Sequence, residues 1–253
     1  DYEAKLEAYA GRVALVAISA ASNVTGYITP IHQMAEMAHA AGAQILADCA
    51  QLAAHRSIEM LPGQDPSHLD YVVLSAHKMY APFGTGALVG LRDTFEQGDP
   101  DMRGGGTVEI VTLDSVVWAE PPERDEAGSP NTVGAIALAA ALRQLGQVSM
   151  QAVAAHEAEL TAYALERLST IPEVRIYGDR DPSRAAQRLG VIPLLLTTTH
   201  HFLASAILGY EFGIGVRSGC FCAHPYILHL LGLSHEEAAQ VRTDILSDDR
   251  SNM

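Results

Sequence analysis

Basic residues are scarce in this sequence. Its 253 residues include 16 lysines and arginines against 30 aspartates and glutamates, which gives a formal net charge of -14. A nucleic-acid partner or an anionic membrane requires a basic protein surface. We therefore expect no nucleic acid and no membrane among the partners of this chain.

Cysteine is scarce as well. Cys49, Cys220 and Cys222 are too few, and odd in number, for a disulfide framework in a chain of this length. This usage favours a reducing compartment, and we expect a cytoplasmic protein. The polar start of the chain does not resemble a signal peptide, and no apolar run is long enough to span a bilayer.

Apolar residues are abundant, at 48% of the chain, so a sizeable core is expected. Val13–Ile18 is a continuous apolar run, a helix is expected to begin at Pro30, and Gln44–Ala47 is the next apolar run. This order is typical of a βαβ unit in a parallel sheet. The connection between the runs Tyr71–Leu74 and Ala87–Gly90 is too short for a crossover helix, so these strands are predicted to be antiparallel.

The character of the sequence changes beyond these strands. Residues 98–131, rich in glycine, proline and charge, are predicted to form a long loop, and long loops are usually functional. After an Ala-rich helix over 133–145 we expect a second, α+β domain with strand-like runs at 174–177 and 191–197. The predicted domains are therefore 1–146, an α/β domain with a mostly parallel sheet and one antiparallel strand, and 147–253.

Lys78 follows the strand Tyr71–Leu74, with Ser75 and His77 just before it. A lysine at a strand end can bury its stem and keep its ammonium in water. It can instead be a desolvated, nucleophilic lysine that forms a Schiff base. The neighbouring serine and histidine suit an anionic group and favour the second interpretation.

Three polar residues follow strands that we expect to end at one edge of the sheet. Ligands of parallel sheets bind at the carboxyl ends of the strands. Asp48 ends the strand over 44–47, where a carboxylate needs a cationic partner or caps a following helix. Gln51 is close enough in sequence to reach the same ligand. Asn23 is either a turn residue or a third member of the site with Asp48 and Lys78.

Several stretches, in order and over essentially the whole chain, resemble the class V aminotransferases and cysteine desulfurases. These enzymes bind pyridoxal phosphate (PLP) on the type I fold of PLP-dependent transferases. The matching stretches are Ser22-Asn23-Val24-Thr25-Gly26, Asp48-x-x-Gln51, Ser75-x-His77-Lys78, Glu126-Ala127-Gly128-Ser129-Pro130-Asn131-Thr132 and Val216-Arg217-Ser218-Gly219-Cys220-Phe221-Cys222-Ala223-His224-Pro225.

The resemblance implies a role for each matching residue of the first domain. Lys78 would form the Schiff base with the cofactor and shuttle protons. Asp48 would pair with the pyridinium nitrogen, and Gln51 would hydrogen-bond to the ring hydroxyl oxygen. Ser75 and His77 would hold the phosphate.

The resemblance also implies contacts from the remaining stretches. Asn23 would lie near the ring and the substrate carboxylate, which Arg217 would help to bind. Ser129 stands where the family usually has threonine and would reach the phosphate of the partner subunit, so a homodimer is expected. Cys222 would accept sulfur as a persulfide, although it could also be a buried thiol or, with Cys220 and His224, a metal ligand. We expect no metal.

The resemblance implies a cysteine desulfurase that converts L-cysteine to L-alanine. A separate protein is a candidate acceptor of the sulfur. Another PLP-dependent reaction of the family stays open, namely that of an aminotransferase, an epimerase or a selenocysteine lyase. A non-catalytic binding module is the alternative from another class. The N-terminal phosphate-binding loop and a second substrate-binding arginine of the family are not found in the sequence. We therefore expect a fragment with weak cofactor binding and little turnover.

Overall fold

The computed structural model describes residues 1–247 and divides into two compact units. The first contains Asp1–Ser22 and Tyr27–Ala158, and the second contains Asn23–Gly26 and the chain from Glu159 onward. The division falls within a single long helix. The predicted domain boundary after residue 146 stays a prediction.

A four-stranded sheet forms the centre of the first unit. The strands β1 (Leu15–Ser19), β2 (Gln44–Asp48), β3 (Tyr71–Ser75) and β4 (Gly86–Gly90) lie in the order β1-β2-β3-β4. β1, β2 and β3 are parallel, and β4 is antiparallel to β3. The predicted α/β fold with one antiparallel strand is therefore confirmed.

The apolar runs form strands because the sheet buries them. Ile45 and Ala47 of β2 are completely buried, and Val72 of β3 is nearly so. Two helices precede β2, α1 (Tyr2–Ala8) and α2 (Ile31–Ala40). Helix α2 turns its small residues inward, which lets its backbone approach the sheet closely. The parallel arrangement brings the carboxyl ends of β2 and β3 together at one edge.

The segment predicted to be a long loop contains regular structure. Strands β5 (Val108–Val111) and β6 (Val116–Trp118) form an antiparallel hairpin, so the loop prediction is wrong for this part of residues 98–131. The Thr112 hydroxyl and the Ser115 backbone bond to each other and close the turn between the strands. The short helix α3 (Arg92–Phe95) precedes the hairpin.

Two long helices follow the hairpin, α4 (Thr132–Val148) and α5 (Met150–Leu168). Within residues 1–247, no single helix has the length and hydrophobicity needed to cross a membrane. Only α4 and α5 taken together, across a bend of 73°, meet those criteria.

The second unit has the α+β character predicted for it. Strands β7 (Val174–Ile176) and β8 (Leu194–Leu196) are antiparallel, and they are followed by α6 (His201–Phe212), α7 (His224–Leu231) and α8 (His235–Leu246). The segment Asn23–Gly26 joins this unit through backbone contacts. The Leu189 N–H donates to the Gly26 carbonyl oxygen at 2.8 Å.

Candidate active site

Asp48 is the last residue of β2 and is half-buried. Its Oδ1 accepts a hydrogen bond from the backbone N–H of Ala50 at 3.0 Å. No helix begins there in the described chain; residues 50–55 form turns, and Asp48 opens the first of them. Such an Asx turn leaves the second carboxylate oxygen available to a ligand at the carboxyl end of the strand.

Lys78 lies in a 3₁₀ turn, Ala76–Met79, that begins where β3 ends. Its ammonium donates to Oε1 of Gln51 at 3.1 Å, and both side chains are half-buried. The Lys78 head group is therefore held by a protein group rather than extended into water. Two predicted site residues that follow neighbouring strands are thus brought into direct contact.

Ser75 and His77 are also brought together. The Ser75 Oγ and the His77 Nδ1 share a hydrogen bond of 3.0 Å. Ser75 pairs with Gly86 across the antiparallel strands. A Cβ at Gly86 would lie 2.6 Å from the Leu74 carbonyl oxygen, so only glycine permits the chain to return beside β3 at once.

Asn131 fixes the segment that follows Lys78. Its Nδ2 donates to the Phe83 carbonyl oxygen at 2.6 Å, and its Oδ1 accepts from the Gly134 N–H at 3.0 Å. The second bond caps helix α4. Asn131 was not predicted to have a role of its own, although an asparagine before an apolar helix is a helix-start signal. Ser129, two residues earlier, is exposed.

The remaining predicted site residues belong to the second unit. The Asn23 Nδ2 donates to the Phe221 carbonyl oxygen at 2.9 Å. The Arg217 guanidinium lies over the Phe221 ring, 5.8 Å from its centroid. Cys222 is exposed and Cys220 is half-buried. Asn23, Arg217 and the Cys222 loop are therefore neighbours within this unit, whereas the predicted convergence of Asn23 with Asp48 and Lys78 stays a prediction.

The loop that carries Cys222 has an unusual backbone. Phe221 and Cys222 have φ values of 53° and 59°, in the left-handed region that costs an ordinary residue roughly 1–2 kcal/mol. The Ala223 N–H donates to the Cys220 carbonyl oxygen at 2.8 Å and closes the turn. Strained backbone of this kind concentrates at functional sites.

Cys49, directly after Asp48, has no exposed surface. Burial, and to a lesser extent the charge of Asp48, raises the pKa of its thiol to about 12. A thiol of this kind stays protonated and packs as a small apolar residue. Cys49 is therefore not a candidate nucleophile.

A polar cluster missed by the sequence analysis lies at the amino end of β3. The Asp70 carboxylate accepts from the Ile45 N–H at 2.8 Å and from His39 Nε2 at 2.9 Å, and His68 Nε2 lies 3.4 Å from it. The His39 and His68 rings stack with centroids 4.2 Å apart. No local sequence pattern predicts this cluster, because its members are separated by up to 31 positions.

The cluster ties α2 to the sheet. Burial raises the pKa of the Asp70 carboxyl, but hydrogen bonds from His39 and Ile45 and the histidine charges outweigh it and hold that pKa below its ordinary value. Burial lowers the pKa of His39, but its bonds to Asp70 and to the Pro66 carbonyl oxygen outweigh it and raise that pKa. An ion pair between His39 and Asp70 follows.

The same cluster is the one group of three His, Cys, Asp or Glu side chains in residues 1–247 that is compact enough for a metal ion. Its polar atoms already have protein partners, because the Nδ1 atoms of His39 and His68 each bond to a backbone carbonyl oxygen. The alternative of a metal bound by Cys220, Cys222 and His224 gains no support, since these side chains form no such group.

Comparison with known proteins decides the family. The profile of the Aminotransferase class-V family matches residues 1–242. The chain belongs to this family. A cysteine desulfurase of Serratia proteamaculans is 36% identical over 212 residues, which are 83% of this chain and 50% of that protein. A cysteine desulfurase of Escherichia coli O8 is 36% identical over 217 residues, with coverage of 85% and 50%.

Solved structures agree with this assignment. The cysteine desulfurase of Thermococcus onnurineus aligns over 98% of this chain and 62% of its own, with a TM-score of 0.78 and 29% identity. The cysteine desulfurase CsdA of Escherichia coli aligns over 92% and 55%, with a TM-score of 0.76 and 29% identity. The predicted type I fold is thereby confirmed. The chain spans about half the length of the curated relatives it matches.

Proposed function

We propose that this chain carries the PLP-binding and sulfur-accepting residues of a cysteine desulfurase. The reaction would convert L-cysteine to L-alanine and leave the sulfur on Cys222 as a persulfide. The observation that carries the proposal is the contact between the Lys78 ammonium and Gln51, 3.1 Å long, at the edge of the sheet where β2 and β3 end. The 36% identity to cysteine desulfurases supports the choice of substrate.

The groups at this edge suit PLP chemically. Lys78 supplies a half-buried primary amine, the kind of nucleophile that bonds covalently to a carbonyl carbon. Asp48 supplies a half-buried carboxylate that a protonated ring nitrogen would neutralise. Ser75 and His77, already hydrogen-bonded to each other, supply two groups that can hold a phosphate. The carbonyl carbon, the ring nitrogen and the phosphate of the cofactor would therefore each have a partner residue in the first unit.

When bound, PLP supplies an electron sink for the carbon skeleton of the amino acid. The protein groups do the rest. Gln51 orients the Lys78 Nζ, which would move a proton at the substrate α-carbon. Asp48 would keep the ring nitrogen protonated. Arg217 would bind the substrate carboxylate through its guanidinium.

Cys222 is suited to accept sulfur because its side chain is exposed on a strained turn. An exposed thiolate can attack the substrate sulfur and then offer it to an acceptor protein. Ser129, also exposed, is proposed to act in the site of a partner subunit, which requires a homodimer. The cytoplasm is the proposed location, since Cys222 must be a free thiol to accept sulfur.

A cofactor titration tests the first half of the proposal. The purified chain is mixed with PLP, and the visible absorbance band of lysine-bound cofactor is recorded before and after borohydride reduction. Mass spectrometry is expected to place the reduced adduct on Lys78. The variant Lys78→Ala is expected to give no band, and the variant Lys5→Ala, which changes a lysine in α1, is the control. A band that survives in K78A contradicts the assignment.

A substrate assay tests the second half. With PLP bound and L-cysteine added, we expect slow formation of one alanine for each persulfide on Cys222, and release of sulfide once dithiothreitol reduces that persulfide. The cysteine desulfurase of Escherichia coli is the positive control. Bound cofactor without alanine or sulfide would exclude the desulfurase reaction and leave the other PLP-dependent reactions of the family.

A further inference from the structure

Cys220 and Cys222 lie on one short turn of the second unit, and neither is in a disulfide. The hydrogen bond from the Ala223 N–H to the Cys220 carbonyl oxygen, 2.8 Å long, closes the turn. Its two central residues, Phe221 and Cys222, both have positive φ. This pattern is that of the type I′ turn, which ordinarily has glycine, asparagine or aspartate at these places.

The turn brings the backbones of the two cysteines close together. Two residues separated by one other are joined by two Cα–Cα steps of about 3.8 Å each. A turn bends these steps toward each other, into the Cα separation of about 4.4–6.8 Å that disulfides span. The Cα atoms of Cys220 and Cys222 are therefore expected at a separation compatible with a disulfide.

The side chain of Asn23 also holds the turn in place. The Asn23 side chain donates to the Phe221 carbonyl oxygen at 2.9 Å, from a position 198 residues earlier in the chain. This bond fixes the peptide between the two cysteines. The turn therefore exists in the reduced protein, in which both thiols are free.

The two thiols differ in exposure. Cys222 is exposed, whereas Cys220 is half-buried. A sulfur donor or an acceptor protein meets Cys222 first, and Cys220 is placed to react with whatever Cys222 holds. This asymmetry is typical of an attacking thiol beside a resolving thiol.

We propose that Cys220 is a resolving thiol that releases sulfur from Cys222, an inference that rests on the proposed persulfide at Cys222. The Cys220 sulfur attacks the Sγ of the Cys222 persulfide, and a bond forms between the two cysteine sulfurs. The bond from Cys222 Sγ to the outer sulfur breaks, and its electron pair leaves with that sulfur. The outer sulfur takes the Cys220 proton and departs as hydrosulfide.

This step balances without an external oxidant. The outer sulfur is reduced by two electrons, and the Cys220 and Cys222 sulfurs end as a disulfide. A dithiol reductant then returns both thiols by disulfide exchange and becomes a disulfide itself. The turn would thereby couple sulfur release to the supply of reducing dithiol.

The test needs no PLP. The reduced 253-residue chain is treated with inorganic polysulfide, which adds sulfur to reactive thiols, and is sampled over time for digestion with trypsin. Cleavage after Arg217 and Arg242 places both cysteines in peptide 218–242, and cleavage after Arg12 and Arg56 places Cys49 in peptide 13–56. Intact-mass measurement of these peptides distinguishes a persulfide, which adds one sulfur atom, from a disulfide, which removes two hydrogen atoms.

The wild-type peptide 218–242 is expected to gain sulfur briefly and then to lose two hydrogens, while hydrosulfide is released. The variant Cys220→Ser is expected to keep its persulfide at least about tenfold longer, because the intramolecular attack is lost. The variant Cys222→Ser is expected to gain no sulfur under the same conditions. Addition of dithiothreitol should restore both thiols in the wild type.

Three outcomes overturn the inference. A wild-type persulfide as long-lived as that of C220S shows that Cys220 does not resolve it. If the wild-type peptide never forms the disulfide between Cys220 and Cys222, Cys220 likewise does not attack the persulfide. If neither the wild type nor C220S gains sulfur, Cys222 does not form the persulfide that the inference requires. Because polysulfide replaces the enzymatic sulfur source, a chain that fails to bind PLP or to consume L-cysteine can still support this inference, and the two failures stay distinguishable.

Discussion

The Lys78 ammonium donates a hydrogen bond to Oε1 of Gln51, 3.1 Å away, although the two residues follow different strands. β2 and β3 are parallel neighbours, and the register pairs Asp48 with Val73. The chain after each strand therefore begins at the same edge. This contact gives the Lys78 side chain a defined direction before any ligand binds.

Replacement of Gln51 by alanine removes the hydrogen bond that orients the Lys78 side chain. We expect the variant Gln51→Ala to bind PLP roughly tenfold more weakly, because it loses the proposed hydrogen bond from Gln51 to the ring hydroxyl oxygen, and a hydrogen bond to a charged group is worth about 1.5–3 kcal/mol. Equilibrium titration of the absorbance band measures the change. The exposed Gln64→Ala variant is the matched control and should bind as the wild type does. Unchanged affinity in Q51A would contradict a role for this contact.

Asn131 provides a second prediction, because its side chain donates one hydrogen bond and accepts another. The variant Asn131→Ala loses the α4 cap and the bond to the Phe83 carbonyl oxygen, and we expect it to lower the free energy of unfolding by roughly 1–2 kcal/mol. Urea unfolding measures this change. The variant Asn131→Asp keeps the capping acceptor and loses the donor, so its loss should be smaller. Equal losses in both variants would show that the cap contributes nothing.

The sheet and the polar residues at its edge could be predicted because both depend on local patterns. Continuous apolar runs marked β1 to β4, and the polar residues directly after them marked the edge where Asp48 and Lys78 lie. The hairpin of β5 and β6 was missed because its four- and three-residue strands are partly exposed and lie in a polar, Gly-rich segment. A short exposed strand has too little apolar periodicity to be recognised.

Contacts between distant parts of the sequence were the other limit. The bond from Asn23 to the Cys222 loop joins residues 198 positions apart, and nothing local to Asn23 indicates that partner. The bond of His39 to Asp70 spans 31 positions. The sequence around each of these residues is equally compatible with a surface position.

The pair of His39 and Asp70 predicts how stability varies with pH. The pKa of Asp70 is lowered on folding, so its contribution is present above the ordinary pKa of aspartate and is lost as the pH falls through the folded value. The pKa of His39 is raised, so its contribution is present below the ordinary pKa of histidine and is lost as the pH rises through the folded value. The pair therefore stabilises most between about pH 4 and pH 6.5.

The variant Asp70→Asn tests this dependence. We expect a loss of about 1–3 kcal/mol in the free energy of unfolding within that window, because the buried Ile45 N–H and the half-buried His39 ring lose a charged acceptor. Unfolding in urea is measured between pH 4 and pH 8 (values that bracket both ordinary pKa values). The exposed Asp101→Asn variant is the control. A loss that is the same at every pH would contradict the ion pair.

The cysteines are predicted to differ in reactivity. A thiol pKa of about 12 rather than 9.0 leaves Cys49 with roughly a thousandfold less thiolate at neutral pH than an ordinary cysteine. Iodoacetamide should therefore modify Cys222 in the folded chain and leave Cys49 unmodified until the protein is unfolded. Mass spectrometry of peptides 13–56 and 218–242 separates the two sites. Rapid modification of Cys49 without unfolding would contradict its burial.

Gly26 is predicted to be essential to the second unit. Its φ is +70°, and a Cβ at this position would lie 2.6 Å from the Leu189 carbonyl oxygen. This oxygen belongs to the backbone, so it can move only if the chain around Leu189 moves with it. We expect the variant Gly26→Ala to lower the free energy of unfolding by more than about 2 kcal/mol, because left-handed backbone strain and a steric clash act together. Thermal unfolding monitored by circular dichroism measures the loss. The variant Gly63→Ala is the matched control, since a Cβ there meets no atom within 4 Å, and it should unfold as the wild type does. Equal unfolding temperatures for G26A and G63A would show that Asn23–Gly26 does not pack against Leu189.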